Sequence, residues 1–590
     1  MTKEKKKEKK KGSRGSFMRL MRYMAGSRKL VVLVVCMLIL STVFDIFAPK
    51  VIENITDSLA PLEGTAFSLY EILPRLCVLV GLYILSGICL YFSRRSLVKI
   101  AENTAYSLRQ KLQKKLQVLP LSFLDSQKRG DVLARLTSDM VTLTNVIQTN
   151  LSTLFTKILT IVGILVMMLL TNVWLSLIFF IMIPLSYFAI RIITSATRKL
   201  FKSQQEAVGE LNGHIEEMIS GHDVMRAFNY EETAYDTMAT INKKFFRTYL
   251  SSRTWSGMIT PVTTLLNNLV YIAVCVLGGL LSIKGVVTLG TLTAFLIYAY
   301  NISSPINTFS TMLNQVQAGL AAADRIFDLI DEENESADDE EPLALPGPAD
   351  GEVGFEHVSF GYVPGRLLMK DVSFKAEPGQ VFAIVGPSGA GKTTLVNLLM
   401  RFYEINGGSI TLDGLDTARM TRTGLRSHMG MVLQDTWLFS GTVHENIAYG
   451  RPDATREEVI EAAKKAQCHS FIQKLPQGYD TEINDETGAL SVGEKQLLSI
   501  ARVVLADPEI LILDEATSNI DTRTEVMITA AMNEMMKGHT TFMIAHRLFT
   551  IKNADCIIFM VDGDIKEVGT HEQLMARKGY YAELYNSSYA

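Results

Sequence analysis

Cysteine is scarce and scattered in this chain. The six residues, Cys36, Cys77, Cys89, Cys275, Cys468 and Cys556, form no close pair and no metal-type spacing, which speaks against a disulfide framework and a zinc site. Four lie in apolar runs, where a thiol behaves as a small hydrophobe. Glycine shows no fixed period, so the chain is not collagenous, and an apolar share of 48% excludes disorder. Charge is thin, at 20% of 590 residues against roughly 25% in soluble domains. No small-residue cleavage site follows a short apolar core near the start, so no secretory signal is expected. Lys and Arg are missing altogether from residues 53–71.

What charge there is divides sharply. Residues 1–330 hold 36 Lys and Arg against 21 Asp and Glu, a balance of +15, while residues 331–590 hold 22 against 40, or −18. The first 16 residues, MTKEKKKEKKKGSRGS, are low-complexity and basic, and Phe17 to Met24 forms a short basic amphipathic stretch. Together they read as a cytoplasmic anchor facing anionic lipid. Apolar runs then match the ~20 residues needed to cross a bilayer. Six spans are expected, near 30–52, 72–93, 144–172, 174–196, 256–283 and 286–312.

The cations set the orientation. Ten Lys and Arg fall in 94–140 and eight in 198–255, against none in 53–71, so both long loops and both termini are expected on the cytoplasmic side. Those loops carry spaced apolar and charged residues, as in helices that run on beyond the membrane. Residues 331–350 are acidic and proline-bearing and read as a solvated linker.

From Gly351 the texture changes to short β-type runs and then to strand–helix alternation. Val381 to Val385 reads as a buried strand. Gly386-Pro387-Ser388-Gly389-Ala390-Gly391-Lys392-Thr393 follows, with Thr394 and an apolar helix after it. This is the phosphate-loop pattern G-x-x-x-x-G-K-[ST] in its required strand–loop–helix context. Glycines let backbone N–H groups turn onto phosphate oxygens, Lys392 meets the β/γ charge, and the Thr393 hydroxyl suits Mg2+. A second apolar strand, Ile510 to Leu513, ends in Asp514 and Glu515. Asp514 is placed to hold Mg2+ through water, and Glu515 to polarise an attacking water as general base.

With those two motifs in place, the chain resembles a half-transporter of the ATP-binding cassette (ABC) exporter family, multidrug type, from about Phe17 to its end. Leu490-Ser491-Val492-Gly493-Glu494 resembles the family signature LSGGQ. Gln434 resembles the Q-loop glutamine that joins Thr393 and Asp514 around Mg2+, and Asp521 the D-loop aspartate. His546 resembles the switch histidine, and Tyr362 the aromatic that stacks on adenine. Residues 120–139 and 221–232 resemble the two coupling segments that dock on nucleotide domains.

The resemblance implies a polytopic α-helical membrane domain with six spans and long cytoplasmic extensions, fused to an α/β P-loop ABC nucleotide-binding domain. Its implied divisions are a tail and elbow over 1–28, a transmembrane domain over 29–330, a linker over 331–350 and a nucleotide-binding domain over 351–590. It also implies ATP and Mg2+ as cofactors, and export of a drug-like, lipid or peptide solute across a bacterial inner membrane. The runner-up readings are a homodimeric lipid or peptide exporter and an ATP-gated channel. The spans leave no place for a nucleic-acid partner.

Two of the five signature positions depart from the pattern. Val492 replaces a glycine and adds a β-branched side chain where backbone must approach phosphate closely. Glu494 replaces glutamine and adds negative charge there. In this family each signature completes the partner's ATP site. An intact Glu515 beside a deviant signature therefore implies a heterodimer, whose other chain carries a consensus signature and a degenerate catalytic base. Within the spans, polar groups are costly and mark candidate substrate contacts: Asp45 first, then Asn267, Asn268, Tyr271, Tyr298 and Asn301.

Overall fold

The computed structural model describes residues 12–59, 69–434, 436–483, 490–514, 521–544 and 551–587. The chain separates into two compact units, Met1–Gln117 with Arg129–Glu332, and Val118–Lys128 with Glu333–Ala590.

The first unit is helical. After Gly12–Met24 come the long helices Arg28–Leu59, Leu69–Leu116, Leu151–Thr171, Val173–Ser220, Glu231–Gly257, Ile259–Ile283 and Leu289–Ile330. Leu69–Leu116 and Val173–Ser220 each have 48 residues. At ~1.5 Å per residue each runs about 72 Å, more than twice the ~30 Å hydrocarbon core of a bilayer. The helices thus continue well past any membrane, as the charged loop patterns suggest. A single residue, Asn172, separates two of them, and its side chain accepts from the Leu175 N–H at 3.2 Å as a helix cap.

Among the described residues, four helical stretches are long and apolar enough to cross a membrane: Gly15–Leu59, Ile72–Leu116, Arg129–Thr171 and Glu231–Ile283. They cover the expected spans 30–52, 72–93 and 256–283, and 144–172 up to its last residue. The expected spans 174–196 and 286–312 fall on Val173–Ser220 and Leu289–Ile330, whose side chains are described only in part. The count of six therefore rests on the sequence. Large apolar side chains such as Leu170, Trp174 and Ile181 are exposed on these helices, as lipid contact requires. A smaller cluster around Met168, Phe179, Val274, Phe295 and Tyr298 packs them together.

The second unit holds two main sheets. The first four strands in chain order are β1 (Val353–Phe360), β2 (Met369–Ala376), β3 (Val381–Val385) and β4 (Gly407–Leu412). They are followed by β5 (Leu415–Asp416), β6 (Met429–Val432), β7 (Gly441–Thr442) and β8 (Glu482–Ile483). The last four are β9 (Ile510–Asp514), β10 (Thr540–Ile544), β11 (Cys556–Val561) and β12 (Asp564–Gly569). One sheet runs β2-β1-β4-β5, antiparallel throughout. The other runs β12-β11-β3-β10-β9-β6, parallel except at its β12 edge.

The unbroken apolar runs of β3 and β9 have a simple cause: both faces of the parallel sheet are covered. Phe382 and Ile384 enter one core with Ile510 and Ile512, while Ala383 and Val385 enter the other with Leu511 and Leu513. Strand β10 lies between β3 and β9, so the chain ends after those two strands open on the same edge of the sheet.

The linker departs from the solvated spacer expected of it. Glu335 and Asp338 converge on Arg422, at 3.1 and 2.8 Å, and Glu404 joins them. Leu343 N–H donates to the Arg419 carbonyl at 2.8 Å, and Leu343 forms a parallel bridge with Met420. Arg401 and Arg422 are buried, and a buried guanidinium needs carboxylates around it. Part of the acidic run answers that need, and the rest stays exposed.

Candidate functional site

The loop after β3 is shaped by glycine. Gly386, Gly389 and Gly391 all have positive φ, at 154, 80 and 99°. A Cβ on Gly386 would stand 2.2 Å from the Met560 carbonyl oxygen, so the β11 side of the loop leaves no room for a side chain. Pro387, Ser388 and Gly389 form the exposed crest, while Ala390 tucks beneath. The helix Lys392–Leu399 starts directly after Gly391, which provides no side-chain cap. Its first N–H groups are left for an anion.

Lys392 folds back onto the loop, donating to the Gly386 and Pro387 carbonyls at 2.9 and 3.0 Å. Burial pushes its ammonium below lysine's ordinary value, and Asp514 opposes that shift from the end of β9. The Thr393 hydroxyl is exposed, and Thr394 is buried. These residues fit MgATP: a loop of three positive-φ glycines, closed to a Cβ at Gly386, one lysine, one exposed threonine and one carboxylate in charge range of that lysine.

Tyr362, half-exposed, lies beside the loop with its hydroxyl 3.0 Å from Thr394 Oγ1. It borders a cavity of about 530 Å3 that Arg366, Lys370, Gly389 and Asp562 also line. Gln434 is exposed just past β6. Glu515 and His546, the expected base and switch residues, lie outside the described residues, so their placement stays with the sequence. Asp521 is exposed and caps the helix Thr522–Met536, accepting from the Thr524 N–H at 3.0 Å. That backbone donor holds its carboxyl below the usual range.

The signature begins the helix Val492–Ala506. Leu490 and Gly493 are buried, and Ser491 is the N-cap. The Ser491 hydroxyl accepts from the Glu494 N–H at 3.3 Å, and the Glu494 carboxylate accepts from the Ser491 N–H at 2.8 Å. This is a capping box, which glutamine at the same position would also form. Val492 is 60% exposed and takes no part in the core.

The intramembrane candidates differ in exposure and partners. Asp45 is exposed and accepts from the Ser86 hydroxyl at 2.8 Å. Lys50 pairs with Glu53 at 2.7 Å. Asn268, Tyr271 and Asn301 are exposed and Asn267 is half-buried. Tyr298 is fully buried, and its hydroxyl donates to the Ile46 carbonyl at 3.0 Å.

Sequence reasoning passed over Glu53 because it counted as loop. In the structure Arg28–Leu59 continues through it, burying a carboxylate that also accepts from Thr291 at 2.9 Å. Its neighbour Asp57 receives the Thr288 hydroxyl and the Gly290 N–H at 2.9 and 2.7 Å. Two acids four residues apart at a helix end were the available signal.

Fold and site together define a membrane-embedded helical unit fused to a phosphate-loop ATPase. Residues 31–306 match the family described as ABC transporter transmembrane region, and residues 369–518 match the family described as ABC transporter. A fatty acid ABC transporter ATP-binding/permease protein of Mycobacterium bovis is 40% identical, over 97% of this chain and 96% of that protein. An uncharacterized ABC transporter ATP-binding protein of Bacillus subtilis is also 40% identical, over 99% and 96%. An ATP-dependent lipid A-core flippase of Syntrophus aciditrophicus is 35% identical, over 86% and 84%.

The chain belongs to the ABC transporter family, among exporters with fused transmembrane and ATP-binding domains. It is a multi-pass membrane protein and an ATPase coupled to transport, uses ATP with Mg2+, and acts as a dimer with another half-transporter.

Proposed function

We propose that this chain is one subunit of an asymmetric heterodimer that exports a hydrophobic or amphipathic solute, lipid-like in character, across a bacterial inner membrane. The observation that carries the reading is the signature Leu490–Glu494. Val492 holds its side chain in solvent at a helix N-terminus where a partner's triphosphate must approach backbone. Glu494 holds a carboxylate at the same N-terminus, already engaged with the Ser491 N–H. A γ-phosphate reaching this end meets a like charge that glutamine would not carry.

The chain's own Walker residues are all of the competent type. Lys392 and the loop N–H groups would take the phosphates, while Thr393, Gln434 and Asp514 would hold Mg2+, which would supply charge neutralisation. Glu515 would act as general base, His546 as the switch histidine and Asp521 as the D-loop aspartate. One working site thus combines these residues with the partner's signature, and one weak site lies over Leu490–Glu494.

Six spans, cytoplasmic termini and a membrane-surface elbow over 1–28 complete the topology, supported by the loop cations. Domain limits at 29–330, 331–350 and 351–590 belong to the same reading. Relatives named for fatty acid and for lipid A-core support a lipidic solute. Asp45, Asn267, Asn268, Tyr271 and Asn301 are the side chains proposed to meet it, whereas Tyr298, expected as a contact, is buried in the helix core and is dropped from the set.

Co-purification from the native membrane tests the pairing directly. A second, different half-transporter should come with this chain, and Glu515→Gln should abolish turnover of the pair. Val492→Gly with Glu494→Gln should alter turnover far less. Robust ATPase activity from this chain purified alone would overturn the heterodimer.

A further inference from the structure

The helix Gly12–Met24 and the turn after it spend their cations in two different ways. One face of the helix is bound to its own unit. Leu20 and Met24 are buried, the Tyr23 ring stacks on Phe327 with centroids 5.9 Å apart, and the Arg19 guanidinium lies 4.4 Å over the same ring. Arg19 Nη2 also donates to Asp331 at 2.7 Å, and Lys111 donates to the Tyr23 hydroxyl at 3.1 Å. These contacts tie the helix to Leu69–Leu116 and to the end of Leu289–Ile330, so the turn that follows starts from a fixed place.

That turn, Ala25–Ser27, leads straight into Arg28–Leu59 and borders an open cavity of about 590 Å3. Arg22, Arg28 and Lys29 line it with Gly26, Ser27 and Leu30, and no acid does. All three cationic side chains are exposed, and among the described residues none of them has a hydrogen bond or ion pair. Three like charges around one cavity repel one another, and an anion placed among them relieves that repulsion. Gly26 leaves the room, because a Cβ there would meet nothing within 4 Å.

Apolar surface adjoins the cavity on two sides. Phe17, Met18 and Met21 are exposed on the free face of Gly12–Met24, and Val32, Leu33 and Val35 on the first turns of Arg28–Leu59. The expected first span starts at residue 30, which sets the three cations at headgroup level and these side chains beside acyl chains. Cations alone suit any anion. Cations with apolar surface next to them suit an anion that carries acyl chains.

We propose that residues 22–30 form a discrete binding site for one anionic phospholipid of the inner leaflet, its phosphodiester held by Arg22, Arg28 and Lys29 over Gly26. The two guanidinium groups match phosphate oxygens with paired donors, and the Ser27 hydroxyl adds another. The inference rests on the topology reading, which puts this turn on the cytoplasmic side. It differs from the diffuse attraction of the lysine-rich tail, which needs no cavity.

Native mass spectrometry of the full-length transporter with its co-purifying partner, titrated with phosphatidylglycerol, tests this. One phosphatidylglycerol per copy of this chain should bind ahead of all others, and phosphatidylcholine of the same acyl chains should not match it. Arg22→Ala, Arg28→Ala and Lys29→Ala should each weaken that first binding about fivefold, and the triple variant about a hundredfold. Gly26→Leu keeps every charge but fills the cavity, so it should weaken the binding about tenfold. Removal of residues 2–11 should change it by about twofold at most, because the tail's charges are screened. Wild-type affinity in the triple variant or in Gly26→Leu overturns the proposal. So does a loss on tail removal equal to that of the triple variant, which would assign the binding to diffuse charge. Displacement of the lipid by an equal concentration of inorganic phosphate would make this a phosphate site and overturn it as well. Trypsin checks the topology separately: it should cut the lysine-rich tail in inverted membrane vesicles and spare it in right-side-out ones. The opposite pattern overturns the topology and the inner-leaflet assignment with it, whatever the titration gives.

Discussion

The helices Lys392–Leu399 and Val492–Ala506 both begin at a point where backbone N–H groups face outward and the helix dipole is positive. Their first turns are finished in opposite ways. The phosphate-loop helix is preceded by Gly391, has no side-chain cap and folds a lysine over its own loop carbonyls. The signature helix closes on itself through Ser491 and Glu494. The first is built to be completed by an anion, and the second already has two of its donors, the Ser491 and Glu494 N–H groups, taken by its own side chains. Identical backbone physics thus gives a receptive end and a satisfied one, and side chains at four or five positions decide which.

Lys392→Ala should have the largest effect. Removing the cation that folds over the phosphate loop should lower ATP hydrolysis by about a hundredfold or more, with thermal unfolding little changed, as read by phosphate release from the reconstituted dimer. Retained hydrolysis would mean that the charge at this end is dispensable.

Gly386→Ala should come next. The new Cβ would meet the Met560 carbonyl oxygen at 2.2 Å, so loop or strand must shift, at a cost of about 1–3 kcal/mol. A lowered Tm together with weakened nucleotide binding is the expected pattern. An unchanged Tm would show that the loop can relax freely.

Ser491→Ala probes the satisfied end. Loss of the cap should destabilise the nucleotide-free protein by about 1 kcal/mol, visible in chemical unfolding. No change would break the contrast between the two ends.

Glu494→Gln should have the smallest effect on stability, within about 0.5 kcal/mol, because glutamine also closes a capping box. It should still raise nucleotide affinity at the site this signature completes, since a like charge is removed. Equal affinity would leave the Glu494 charge without effect at that site.

Much of this arrangement was legible in the chain. The apolar runs at Val381–Val385 and Ile510–Leu513 announced strands buried on both faces. The glycine spacing announced a loop that must turn backbone inward, and the charge division announced where the helical unit stops. The linker was misread because an acid run looks the same whether water or arginine answers it. Arg401 and Arg422 lie some way further along the chain, and nothing local joins them to Glu335 and Asp338. The Tyr403 hydroxyl donates to Asp125 across 278 residues of chain, and each alone is an ordinary polar residue beside apolar ones. Glu53 escaped notice because its helix runs on to Leu59.

Periodicity, composition and the order of motifs are local properties, so the sequence by itself determined the two kinds of unit, the phosphate chemistry and the family. Which polar groups meet is not local. The grip of Glu335 and Asp338 on Arg422 and the Asp125–Tyr403 bond each depend on atoms that only packing brings within hydrogen-bond distance, roughly 3 Å or less. A hydrogen bond has no reach beyond that distance, so no pattern along the chain records it in advance. Tertiary structure alone decided which of this protein's charges are free to meet a ligand and which are already spent on one another.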